Sequence, residues 1–125
     1  MPGLQAMIPA FFSEAMARGL DAVGLTASHF SEKPAHLFGL WPRKGGLVIG
    51  ADADLMVLEP GSFVYDAQAA QDDVGWSPYD GRALSVRVAG TYLRGQLVWD
   101  GNRVTDAGGQ TGAGERGRFV PRVLS

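Results

Sequence analysis

Two histidines, His29 and His36, stand seven positions apart. On an unbroken helix that spacing would put both imidazoles on one face, where they could ligate a metal or relay a proton. Pro34 and the polar Ser31-Glu32-Lys33 between them predict a broken helix, and two ligands fall short of a catalytic zinc site's usual three. Surface or helix-end histidines are therefore expected. Ser28 beside His29 is a poor nucleophile and base pair, because adjacent side chains on a helix diverge by about 100°. Asp52 and Asp54 could share a proton or a cation, yet they sit in Gly50-Ala51-Asp52-Ala53-Asp54, where Asp more often bonds nearby backbone amides. Gly112-Ala113-Gly114-Glu115-Arg116-Gly117 spells a dinucleotide fingerprint, but that loop works only between a strand and a following helix, and Phe119-Val120-Pro121 follows it here. A flexible tail is the expected reading. Trp76, Tyr79 and Trp99 could form a ligand platform; filling a core or an interface is the commoner use.

Composition narrows the classes further. The 125 residues are 46% hydrophobic and 19% charged, too few for two ordinary domains and too apolar for disorder. Eleven Lys and Arg against 13 Asp and Glu give a net charge of -2, which offers no basic field for nucleic acid. With no cysteine, thiolate chemistry and disulfides are excluded. No apolar run reaches the roughly 18 residues of a membrane span, and no cationic flank marks a signal peptide. A soluble, cytoplasmic protein with neither nucleic-acid nor membrane partners is expected.

The elements that must position these residues fall in two classes. Leu4, Met7, Ile8, Phe11, Phe12, Ala15 and Met16 recur at helical spacing, with Gly19 as a stop and Pro9 leaving the start open. Leu20 to Phe30 predicts a second helix and Ser31 to Phe38 a short third one, opened by Pro34 and closed by Gly39. After Trp41-Pro42 the pattern turns to strands: Leu47 to Ile49, Leu55 to Leu58 ending at Pro60-Gly61, Phe63 to Tyr65, Leu84 to Val88, and Thr91 to Trp99, with Asp100-Gly101 as a hairpin turn. The expected fold class is α+β, with three regions: helical 1–40, β-rich 41–104, and a Gly-rich tail 105–125.

Several blocks together resemble the carboxyl-terminal part of the cyclic amidohydrolases, the family of allantoinases, hydantoinases, dihydropyrimidinases and dihydroorotases. They are Ser31-Glu32-Lys33-Pro34-Ala35-His36-Leu37-Phe38-Gly39-Leu40, Pro42-Arg43-Lys44-Gly45, Gly50-Ala51-Asp52-Ala53-Asp54-Leu55, Ser77-Pro78-Tyr79-Asp80-Gly81, Leu93-Arg94-Gly95 with Val98, and Gly117-Arg118-Phe119. The resemblance covers nearly the whole chain, and the Ser77 and Gly117 blocks lean slightly towards allantoinase. The chain departs from the family pattern at Gln5, where Glu is usual, and at Lys33, where Asn often provides a helix cap worth about 1 kcal/mol.

The resemblance implies the end of a metal-dependent barrel followed by part of a small β-sandwich, the parent enzymes hydrolysing a cyclic amide at a dinuclear metal centre, often zinc. The family's metal ligands would all precede Met1, so no metal ligand, catalytic residue or cofactor is expected in this chain. Pro2 and Gly3 match the stretch that places backbone atoms near the substrate ring, and are the candidate substrate contacts. The function so implied is that of a carboxyl-terminal fragment, inactive alone, that completes the sandwich and associates with itself or with a separate catalytic barrel. A stand-alone β-rich binding or assembly module is the alternative. A small complete hydrolase built on Asp52, Asp54 and the two histidines is the third reading.

Overall fold

Helix α1 spans Leu4–Ala17 in a computed structural model of the chain, which describes residues 3–72, 74–105 and 118–122. The helix runs through Pro9 without stopping, and the Ser13 hydroxyl donates to the Pro9 carbonyl at 2.6 Å. Gly19, at φ 68°, ends it: its N–H donates to the Met16 carbonyl and that of Leu20 to the Ala15 carbonyl. This is a Schellman stop, which needs a left-handed residue that glycine adopts at no steric cost. The buried side of α1 is narrower than its apolar spacing suggests. Ala6, Pro9 and Ala15 are buried, whereas Leu4, Met7 and Met16 are exposed.

The next helical stretch corrects the expectation of a break at Pro34. Helix α2, Ala22–Ala27, passes into a π turn over Ser28–Glu32 and then into α3, Lys33–Leu37. A proline ring clashes with the carbonyl four residues back and supplies no donor. The wider π turn, in which the Lys33 N–H reaches back to the Ser28 carbonyl, lets the backbone stay helical up to and past the ring. Gly39, at φ 66°, repeats the Schellman stop through His36 and Ala35.

Three strands form one antiparallel sheet in the order β1-β2-β3: β1 is Leu55–Val64, β2 Ala83–Leu93 and β3 Gln96–Trp99. Three strand expectations change. Leu47-Val48-Ile49 is not a strand; Leu47 and Ile49 are almost fully exposed, so the run has neither a ladder nor a core to join. The runs on either side of Pro60-Gly61 are one strand, since strand β1 tolerates a proline that costs only one donor. The stretch from Leu84 to Trp99 turns at Arg94-Gly95, at φ 49° and 82°, and Leu93 pairs with Gln96. Two central residues with positive φ are the pattern of a type I′ hairpin turn. The turn after Trp99 forms as expected: Asp100 accepts from the Asn102 and Arg103 amides, and Trp99 bridges Val104.

The chain divides into two compact units, Met1–Thr26 with Glu59–Arg87, and Ala27–Leu58 with Val88–Ser125. In the first, Leu84, Val86 and Ala67 are buried, and the Ser85 N–H donates to Ser13 Oγ at 2.7 Å, fastening β2 to α1. In the second, α3 contributes buried Ala35. The Gly112 to Gly117 motif lies outside the described residues.

Candidate functional site

Of the two candidate substrate contacts, Pro2 lies outside the described residues and Gly3 stands at the start of α1. Gly3, Leu4 and Gln5 form one side of an open cleft of about 630 Å³, and Gln71, Asp72, Val74 and Trp76 line the rest. Its lining is mostly apolar, with Leu4, Val74 and Trp76 all exposed. One bond joins two of the lining segments: Gln5 Oε1 accepts the Gln71 N–H at 2.9 Å. The family's usual Glu would offer the same acceptor, so the substitution keeps this bond and removes a charge. Sequence reading missed Gln71 and Asp72, which lie in a polar stretch with no motif.

The Ser77-Pro78-Tyr79-Asp80-Gly81 block lies in the same unit. Asp80 Oδ1 accepts the N–H of buried Ala67 at 2.8 Å, and Tyr65 exchanges backbone bonds with Gly81 and Arg82. A Cβ on Gly3 would come 3.7 Å from the Tyr79 ring, an ordinary contact. Burial, and then the charge of Asp72, push the Tyr65 phenol above its usual pKa against a bond from Ser77, so it stays protonated. Trp76 is 58% exposed, and Tyr79 and Trp99 are half-buried.

The second unit gathers the other family blocks around one lysine. Lys44 Nζ lies 2.8 Å from Asp52 Oδ2 and bonds Asp54 as well, while Arg43 Nε reaches Asp52 Oδ2 at 3.0 Å. The remaining oxygen of Asp54 accepts the Arg94 N–H at 2.8 Å, and the Ala53 carbonyl accepts the Gly95 N–H at 2.9 Å. Behind the loop, Gly45 at φ 92° sits so close to the π turn and α3 that a Cβ would come 2.3 Å from the Ala35 Cβ and 2.7 Å from the Ser31 carbonyl oxygen. Four separated blocks thus meet: Ser31 to Leu40, Pro42 to Gly45, Gly50 to Leu55, and Leu93 to Gly95.

The electrostatics of this cluster are those of a clamp. Lys44 is only 17% exposed, and burial pulls its pKa down, but the bonds to Asp52 and Asp54 and their charges outweigh burial and hold it above the ordinary lysine value. The Lys44 bond, opposed by desolvation and helped by Arg43, keeps the Asp52 carboxyl below the usual aspartate value. Asp52 Oδ2 is thus held by Lys44 and Arg43, and Asp54 by Lys44 and the Arg94 amide.

The histidines do not come together as a site. His36 stacks on Trp41 at 4.7 Å, whereas His29 Nε2 lies 3.3 Å from Lys33 Nζ. Among the described residues no group of three or more His, Cys, Asp or Glu could hold a metal ion. The donors described do not fit a dinuclear centre.

No protein-family model matches the chain. Individual proteins do. The chain is 30% identical over 99% of its length to D-phenylhydantoinase of Escherichia coli O1:K1, spanning 27% of that protein. An L-hydantoinase (dihydropyrimidinase) from Arthrobacter aurescens superposes with a TM-score of 0.76 at 31% identity, over 82% of this chain and 23% of that one. A dihydropyrimidinase from Brevibacillus agri gives 0.72 at 26% identity, over 78% and 21%. The chain belongs to the cyclic amidohydrolases and corresponds to their carboxyl-terminal part. Within that family, these relatives are hydantoinases and dihydropyrimidinases, and the chain spans about a quarter of their length.

Proposed function

We propose that the chain is the scaffold portion of a metal-dependent hydrolase that opens cyclic amide C–N bonds, and that it does not catalyse this reaction by itself. The observation that carries this reading is the use of the family blocks. Arg43, Lys44, Asp52 and Asp54 of these blocks are paired with one another in a clamp rather than left facing a cavity. A catalytic barrel, in which a dinuclear metal centre, zinc in this reading, would polarise the amide and activate water, is the partner that would supply the chemistry. Gly3, beside the cleft at the start of α1, is the backbone this chain would bring to the substrate.

The test is hydrolysis of hydantoin, dihydrouracil, allantoin and dihydroorotate by the purified chain, with its mass in solution measured in parallel. No turnover is expected with any of the four. Turnover that survives purification and is lost on changing His29, His36, Asp52 or Asp54 would overturn the proposal and support a small complete hydrolase. The mass separates a self-associating chain from a monomer that requires a partner.

A further inference from the structure

We propose that Lys44, Asp52 and Asp54 form a two-sided charge lock that joins the Arg43–Asp54 loop to the Arg94-Gly95 turn and opens as one unit at either extreme of pH. The geometry carries this. Lys44 bridges both carboxylates from a largely buried position, and Asp54 uses its other oxygen to hold the Arg94 amide, so one side chain couples the loop's charge to the turn's backbone. The loop is closed at its base a second time, because the Asp52 N–H donates to the Arg43 carbonyl at 2.9 Å. Beyond that base it carries Leu47-Val48-Ile49 into solvent, so the lock fixes how an apolar tip is presented.

The charges acting on Lys44 are Asp54 and Asp52, and those on Asp52 are Lys44 and Arg43. Glu32, Lys33 and His36 lie on the helical turns packed against Gly45, and Arg94 lies on the hairpin turn. Asp52, with its pKa lowered by folding, contributes stability that is present above its unfolded value and lost as pH falls through the folded one. Lys44, with its pKa raised, contributes stability that is present below its unfolded value and lost as pH rises through the folded one. The lock is therefore closed across the neutral range and opens on both sides of it.

The experiment is an NMR pH titration of the whole chain, following the Asp52 and Asp54 carboxyl carbons together with the Asp52, Arg94 and Gly95 amides. The amides are expected to shift in step with the Asp52 carboxyl, whose midpoint lies below the ordinary value of 3.8. In Lys44→Met the same amides should lose hydrogen-exchange protection by about tenfold or more at neutral pH, and Lys44→Arg should keep it. Carboxyls that titrate while the three amides stay still would overturn the lock. So would Lys44→Met amides protected as in the unaltered chain. Should Lys44→Met fail to fold, the titration of the unaltered chain decides alone.

Discussion

The cleft at the start of α1 and the clamp around Lys44 are built from different residues and bonded to different degrees. At the cleft, apolar Leu4, Val74 and Trp76 are exposed, and one bond from the Gln71 amide to Gln5 joins its two sides. At the clamp, Arg43, Lys44, Asp52 and Asp54 each have an opposite charge within reach, glycine allows a backbone approach that no side chain would permit, and four of the family blocks meet. The difference teaches what the family blocks are for in this chain. The dense, motif-bearing region holds the chain in shape, and the sparsely bonded one has the open surface on which binding could take place.

This contrast can be broken by substitution. Gly45→Ala should have the largest effect, because the new Cβ would overlap Ala35 and Ser31 and the residue sits at φ 92°. Overpacking and left-handed strain together should cost about 3 kcal/mol in urea unfolding. Lys44→Met should follow with a smaller loss, since it leaves Asp52 and Asp54 without their shared cation. Gln5→Ala removes a single exposed hydrogen bond and should cost less than about 1 kcal/mol by the same measurement. If Gln5→Ala proved as costly as Lys44→Met, the cleft would be as structural as the clamp and the contrast would fail.

Much of the clamp could be read from the sequence in part but not as a whole. Gly19 and Gly39 announced their Schellman stops, because each depends on residues a few positions apart, whereas Asp52 and Asp54, expected to bond nearby backbone amides, bond the Lys44 and Arg43 side chains and the distant Arg94 amide instead. The hairpin at Arg94-Gly95 went unread because the apolar alternation runs on both sides of it and Arg is not a usual left-handed residue. Its Arg94 conformation is held by Asp54, 40 residues away, a partner that no local pattern reveals. Leu47-Val48-Ile49 has the composition of a strand, and only the absence of a neighbouring ladder makes it an exposed loop tip. The π turn was hidden for a related reason: Pro34 rules out a regular helix, and sequence alone does not distinguish a break from a locally wider turn. At the cleft, Gly3 was legible through the family resemblance, whereas Gln71 and Asp72 reach it only through tertiary folding.

The central claim is that this chain holds shape and that the metal chemistry of its relatives does not reside in it. Its most direct test is the metal stoichiometry of the purified chain after equilibration with zinc and removal of free ion, read by elemental analysis. A substoichiometric residue that washes away with a weak chelator is expected. One or two zinc ions per chain, retained through gel filtration and lost when Asp52, Asp54, His29 or His36 is replaced, would contradict it.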